Sequence, residues 1–397
     1  MARVMLASTP LLIGEVLTTL ILVLTIAFWG YGLYGLRKSL SALRKLNPNI
    51  TYTPKFSIII PCRNCVDTIA TTIESIAVQD IKPLKVVVVN DGSTDGSAET
   101  VRALASRLAS QGLKVSVVSV NNVPPEWIPK PYACLQGYLE VKDESEVIVF
   151  LDSDTWFTKE DSLRALVNEA WVTGLASYAP RFVCSTHACR AAEVLLTTLS
   201  HAFLGFDKVF DPKSRIAWFF GCCWAVRRDV YEALGTHESV KHEIVEDKAL
   251  AIIAKRRGVG FTVLAGFDKV ASLWHPRLSD SVNVLARIFW RRITLERGRS
   301  LAYATLFLLP YLVPALGPVS LISMNPFLIM AGYVAYGVCV LAHIAGSKLN
   351  GYSIAYAFAA PYVGVAMICM FISRILKGEF EWRGRKASEL LNNVHVT

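Results

Sequence analysis

Apolar residues gather at the two ends of this chain and alternate with polar ones through its middle. Residues 11–36 hold one charge, Glu15, and are long enough to span a bilayer. Three more apolar stretches lie at 301–322, 327–346 and 352–373. Between the ends, short apolar runs alternate with stretches of helical period. Phe56–Ile60 predicts a strand, and Thr68–Gln79 a helix with Ile69, Ile73, Ile76 and Ala77 on one face. Lys85–Asn90 is nearly all valine, a β-branched run that favours a strand. Asp95–Gln111 predicts a second helix, Val115–Val120 a third strand and Tyr132–Val141 a third helix. Val147–Leu151 then reads as a strand buried on both faces. This β-α-β-α-β-α-β order implies a doubly wound, largely parallel sheet. No G-x-G-x-x-G follows the first strand, which disfavours dinucleotide binding.

The order weakens after residue 175. Residues 191–206, from Ala191 to Phe206, are apolar and helix-like. Residues 284–299 predict one amphipathic helix. Val284, Leu285, Ile288, Phe289 and Ile293 make one face, and Arg287, Arg291, Arg292, Arg297 and Arg299 supply the rest. Such a helix suits the bilayer interface; a solvated surface helix packed on the domain is the plainer alternative.

Composition changes the picture in two ways. The 397-residue chain is 53% hydrophobic, too apolar for an ordinary soluble protein, and its middle is too charged for a pure membrane bundle. Its net charge of +9 suits anionic headgroups and phosphorylated substrates; no nucleic-acid motif accompanies it, so nucleic acid is not an expected partner. The nine cysteines show no repeating framework. Cys62-x-x-Cys65 has no second pair at zinc-site spacing, which favours structural or free thiols, and Cys222, Cys223, Cys339 and Cys369 read as packing residues.

The candidate chemistry sits at strand ends. Asp152-Ser153-Asp154 closes the Val147–Leu151 strand, where open α/β sheets place their ligands. Two carboxylates one residue apart can hold Mg²⁺ together with substrate phosphates; an Asp after a strand also serves as a plain turn or cap residue. Asn90-Asp91-Gly92-Ser93-Thr94-Asp95-Gly96-Ser97 closes the valine strand and opens a helix, with Ser93 or Asp95 able to cap it. Asp91 is there placed to accept hydrogen bonds from a nucleotide base or sugar; a strand-to-helix turn that binds no ligand is the plainer alternative.

These motifs, in this order, resemble the family 2 glycosyltransferases with the GT-A fold. Phe56 to Pro61 with Arg63 and Asn64 looks like the family's opening strand and loop. Val87 to Asp95 looks like its nucleotide-binding turn, and Asp152-x-Asp154 like its metal pair. Gly221-Cys222-Cys223-Trp224 with Arg227 and Arg228 is similar to the acceptor-side strand, and Glu246-Asp247 to the acid pair that carries the catalytic base. The resemblance covers about residues 55–300. Pro124 to Ala133, with Trp127 and Lys130, and Trp382-Arg383-Gly384-Arg385 are similar to stretches of ceramide-glucosyltransferase-like and carotenoid-glycosyltransferase-like members. Cys65 stands where many members have Glu, and Pro129 replaces a usual Gly. The Q-x-x-R-W motif of processive synthases is absent; the aligned stretch reads Arg291-Arg292-Ile293-Thr294-Leu295, which argues against chain extension.

The resemblance implies a GT-A domain, Rossmann-like with a mostly parallel sheet, flanked by transmembrane helices. It implies an inverting hexosyltransferase that moves one sugar from a UDP- or GDP-sugar to a lipid hydroxyl. Mg²⁺ or Mn²⁺ would sit on Asp152 and Asp154, and the donor on Pro61, Arg63, Asp91, Lys130 and Ser153. Asp247 would be the base with Glu246 beside it. The acceptor would meet Gly221, Cys222, Trp224, Arg291 and Arg292. A polyprenyl-phosphate (dolichol-phosphate) sugar synthase shares this donor site. A non-catalytic transport or assembly protein is the third reading, thinly supported by Glu15 and His343 inside the spans.

The expected organisation is an N-terminal tail (1–10), a transmembrane helix (11–36), a basic linker (37–53) and a cytoplasmic GT-A domain (54–282). An interfacial helix (283–300), two or three crossings (301–373) and a basic tail (374–397) follow. Arg37, Lys38, Arg44 and Lys45 after the first span put the N-terminus outside and the domain in the cytoplasm of a multi-pass cell-membrane protein. Three full later crossings would put Arg374, Lys377, Arg383, Arg385 and Lys386 outside, against the same rule. Pro310, Pro314 and Pro318 suggest instead that the 301–322 stretch re-enters.

Overall fold

The computed structural model describes residues 2–43, 52–274, 276–323, 325–378, 381–382 and 385–386. The strands of the large sheet are β1 (Phe56–Cys62), β2 (Val86–Asp91), β3 (Val115–Val120), β4 (Val147–Leu151), β5 (Thr155–Phe157), β6 (Leu175–Val183), β7 (Cys223–Arg227) and β8 (Thr262–Leu273). The helices are α1 (Ala2–Ala42), α2 (Ile69–Ala77), α3 (Ser97–Ala109), α4 (Pro129–Leu139), α5 (Ser162–Thr173), α6 (His187–Phe203), α7 (Phe206–Phe210), α8 (Arg228–Ala233) and α9 (Glu246–Arg256). They continue as α10 (Leu278–Ile288), α11 (Trp290–Leu295), α12 (Arg297–Leu316), α13 (Pro326–Leu349) and α14 (Ala355–Lys377). Two compact units divide the described residues: a helical unit of 2–40, 184–205, 276–323, 325–378 and 381–382, and a sheet unit of 41–43, 52–183, 206–274 and 385–386.

The sheet unit follows from its apolar runs. β2 and β4 are buried along their whole length, and β1 everywhere but Pro61. Strands buried on both faces carry no alternation and belong inside a parallel sheet. The strand order is β3-β2-β1-β4-β7-β6-β8-β5. β3, β2, β1 and β4 are parallel. β6 and β8 also pair in parallel, while β7 runs antiparallel to both β4 and β6 and β5 antiparallel to β8. The chain steps outward from β1 to β3 and returns to lay β4 on the other side of β1. Such a reversal opens a crevice at the carboxyl ends of the two strands it separates, here β1 and β4. Ile69, Ile73 and Ile76 of α2 bury one helix face on this core. α4 lies close against β1, where a Cβ on Gly137 would come within 2.4 Å of the Ile59 side chain.

Among the described residues, four helices are long and apolar enough to cross a membrane: Val16–Ala42, Arg297–Ile322, Pro326–Leu349 and Ala355–Lys377. Inside the helical unit, Pro314 has no N–H to give to the Pro310 carbonyl one turn earlier. The buried Trp29 Nε1 donates to that carbonyl instead, at 2.7 Å. His343 is satisfied in the same core. Its Nδ1 pairs with the Cys339 carbonyl at 2.8 Å, and its Nε2 with the Tyr311 hydroxyl at 3.2 Å. A histidine held this way has a packing role, which removes one support of the transport reading. The side chain of Glu15 lies outside the described residues.

The single amphipathic helix expected over 284–299 is three helices. Breaks fall at Phe289 and at Glu296, whose ψ of 50° leaves the helical range. The Glu296 carboxylate faces Arg292 at 3.8 Å and Arg299 at 3.5 Å. The 301–322 stretch is helical to Leu316 despite Pro310 and Pro314, then tightens to a 3₁₀ turn over Gly317–Ser323. Two cysteine pairs are joined, Cys62–Cys65 and Cys184–Cys189, so the C-x-x-C is a disulfide rather than free thiols. The Arg44–Lys45 pair, Arg383 and the tail beyond Lys386 lie outside the described residues.

Candidate active site

Three chain segments meet at the carboxyl edge of the parallel strands. The first is the end of β4. Asp152 N–H donates to the Cys222 carbonyl at 2.8 Å, which fixes the D-x-D turn to the segment entering β7. Asp152 and Asp154 are half-buried. Ser153 between them points the other way: it is 2% exposed, and its carbonyl accepts from Thr72 Oγ1 at 3.0 Å. The turn therefore buries the Ser153 side chain and leaves both carboxylates partly exposed.

The second segment is the first turn of α4, opened by Pro129. Lys130 reaches out of it. Its Nζ lies 2.9 Å from Asp152 Oδ1 and 2.9 Å from Glu246 Oε1. Burial opposes its charge, but Asp152 and Glu246 outweigh burial and hold the ammonium well above its usual range. Lys130 is thus a cation between the two acidic positions, a partnership with Glu246 that no local sequence signal announces.

The third is the N-terminus of α9, where acids complement the helix dipole. Glu246 is 7% exposed. Asp247 Oδ2 accepts the Gly221 N–H at 2.9 Å and Oδ1 the Lys248 N–H at 2.7 Å. Both carboxylate oxygens are therefore oriented by backbone.

The β1 and β2 loops form the neighbouring wall. Arg63 Nη1 donates to the Asp91 carbonyl at 2.9 Å, and the Asp91 side chain is mostly buried, 3.7 Å from the same guanidinium. Asn64 and Ser93 exchange loop contacts: Asn64 N–H donates to Ser93 Oγ, and Thr94 N–H to Asn64 Oδ1, both at 3.0 Å. Asp95 accepts from the Val66 and Ser97 N–H groups. Burial pushes its carboxyl up, but the Ser97 hydroxyl and these N–H groups win and hold it below the usual range. Asp95 therefore ties the two loops together, while Gly96, at φ 87°, occupies the cap position. Pro61 is half-buried at the end of β1.

The acceptor-side residues divide. Gly221 touches Asp247, as above, and Cys222 is half-buried beside Asp152. Trp224 is not available to a ligand: it is 3% exposed and stacks on Phe150 with ring centroids 4.5 Å apart. Burial pushes the Cys222 and Cys223 thiols up, so neither is a thiolate nucleophile near neutral pH. Arg291 and Arg292 belong to the helical unit. Arg292 lies over the Tyr303 ring at 5.7 Å, and the Arg291 side chain lies outside the described residues.

A mixed sheet with a reversal between β1 and β4, and paired acids at its carboxyl edge, has the crevice in which open α/β sheets place their ligands. Residues 57–235 match the profile of the glycosyl transferase family 2. The 4,4'-diaponeurosporenoate glycosyltransferase of Staphylococcus aureus strain USA300 is 27% identical over 218 residues, 54% of this chain and 55% of that protein. Its counterpart in strain MRSA252 is 28% identical over the same length. The match spans about half the length of these relatives. Among solved structures, the mannosyltransferase PcManGT of Pyrobaculum calidifontis, in complex with GDP-Man and Mn²⁺, has a TM-score of 0.50 at 20% identity. That likeness covers 91% of this chain and 99% of the other, and it shows the fold. Residues 57–235 thus match the family 2 glycosyltransferases, and the fold is of the GT-A kind.

Proposed function

We propose that this chain is an inverting glycosyltransferase that moves one hexose from a UDP- or GDP-sugar to the hydroxyl of a membrane lipid. One observation carries the reading: a carboxylate with both oxygens held by backbone N–H groups, Asp247, stands beside the D-x-D end of β4. The four long apolar helices support a membrane-held acceptor. So do the curated relatives, glycosyltransferases named for 4,4'-diaponeurosporenoate.

In this reading Asp91 and Arg63 hold the nucleoside, with Pro61 under it. The acceptor oxygen attacks the anomeric carbon as the bond to the diphosphate breaks, and its proton passes to Asp247. Lys130 turns its ammonium toward the diphosphate, and Glu246 keeps that ammonium in place. The donor set fits a hard divalent cation, since Asp152 and Asp154 offer carboxylate oxygens and a lysine ammonium already rests on Asp152. Among the described residues no three His, Cys, Asp or Glu side chains gather closely enough to hold a metal alone. Mg²⁺ or Mn²⁺ would therefore share Asp152 and Asp154 with donor phosphates, and when bound it neutralises the charge that develops on the leaving diphosphate.

The test is to incubate membranes holding the full chain with a panel of radiolabelled nucleotide sugars and count lipid-extractable label. We expect one donor to give a single labelled lipid, stable to mild acid, and a chelator to abolish the transfer. A ladder of products would overturn the single-sugar claim. Acid-labile label would move the acceptor to a polyprenyl phosphate, and full activity in chelator would remove the metal.

A further inference from the structure

Gly221 and Cys222 are consecutive, and each holds one half of the site. The Gly221 N–H donates to Asp247 Oδ2 at 2.9 Å, and the Cys222 carbonyl accepts the Asp152 N–H at 2.8 Å. One peptide segment therefore touches both the acid on α9 and the acid at the end of β4. A Cβ built on Gly221 would lie 2.5 Å from Asp247 Oδ2 and 2.8 Å from its Cβ and Cγ. Its three nearest neighbours are all atoms of Asp247. The glycine is not needed for its backbone, because its φ is outside the left-handed region that favours glycine. It is needed for space.

We propose that Gly221 is a positioning residue: its missing side chain and its N–H set the place of the Asp247 carboxylate, and Cys222 fixes that place relative to Asp152. This role differs from a direct acceptor contact, and it rests on the reading of Asp247 as the general base. The spacing between base and metal carboxylates is then set by the two residues that enter β7, whatever the acceptor is. A side chain at 221 forces Asp247 away and removes a hydrogen bond from its ionised form. Loss of a donor to a carboxylate raises its pKa, so the base loses its proton only at higher pH.

The test uses the purified full chain with Gly221→Ala and Asp247→Asn. Readouts are binding of UDP and GDP with Mn²⁺, lipid-extractable label over time, and the acid limb of the pH–rate profile. In Gly221→Ala, nucleotide affinity should stay within about twofold while turnover falls on the order of 10²-fold, the scale of a misplaced catalytic group. Its acid limb should move to higher pH, which a merely structural defect would not cause. Wild-type turnover in Gly221→Ala, with Asp247→Asn dead, overturns the proposal. Wild-type turnover in Asp247→Asn instead overturns the base assignment beneath it. Should Gly221→Ala fold poorly, its thermal destabilisation is compared in the native and Asp247→Gly backgrounds. It should vanish when the Asp247 side chain is gone, and an equal loss in both backgrounds overturns the proposal.

Discussion

The Lys130 ammonium lies 2.9 Å from the Glu246 carboxylate and so joins the first turn of one helix to the first turn of another. The pairing explains why an acid can be 7% exposed at the edge of the site. A buried carboxylate is stable when a cation compensates it and costly when that cation is removed.

Lys130→Met should therefore destabilise the sheet unit by about 1–3 kcal/mol, the scale for a buried polar group left unpaired. Lys130→Met combined with Glu246→Gln should recover the share of that loss that Glu246 causes, while Asp152 still lacks its cation. Chemical denaturation of the four proteins of this cycle measures it. A double-variant loss equal to the sum of the two single losses would mean that the two side chains are not coupled.

A second pairing bears on the membrane. Arg297 Nε donates to the Ile375 carbonyl at 3.0 Å, and its Nη2 to that of Leu376. The start of α12 and the end of α14 thus lie at the same end of the helical unit. Three complete crossings would separate them, so we expect an even number between residues 297 and 376. Cysteines placed at Glu296 and Lys377, in a background without the exposed Cys369, should react with an impermeant reagent only when the cytoplasmic face is open. Labelling of one from each side would restore three crossings.

His237 gives a pH dependence. It is 1% exposed, its Nδ1 takes the Tyr231 hydroxyl, and burial, helped by the Lys130 charge, pushes its pKa from 6.5 down to about 3. The folded state holds it neutral where the unfolded chain would bind a proton. Stability is therefore fully present above pH 6.5 and is lost as pH falls toward 3. Melting temperatures at pH 7 and pH 5 should differ more for the native protein than for His237→Gln. Equal differences would show that another group governs acid stability.

The sheet was legible because Ile58–Ile60, Val86–Val89 and Val147–Leu151 are unbroken apolar runs, and only strands covered on both faces tolerate them. The reversal at β1 and β4 then puts Arg63, Asp91 and Asp152 on one edge without further information. The antiparallel β7 was not legible as such, since its direction depends on its partners and not on its own five residues. Trp224 was misplaced for a related reason. Its strand is buried on both faces, so no polar alternation marked which side faced Phe150. The break at Glu296 was hidden because its neighbours Arg292 and Arg299 fit an arginine-rich helical face equally well. The link between Lys130 and Glu246 joins residues far apart in the chain, and only the packing of two helix ends reveals it.

Turnover by Asp247→Asn, read as label entering lipid with nucleotide binding measured on the same preparation, decides whether Asp247 is the base. Asparagine keeps the shape of the side chain but cannot take a proton. With Asp247 as the base, turnover should fall by roughly 10²–10⁴-fold while nucleotide affinity and melting temperature barely change. Near-normal turnover in a folded, nucleotide-binding Asp247→Asn protein would contradict it.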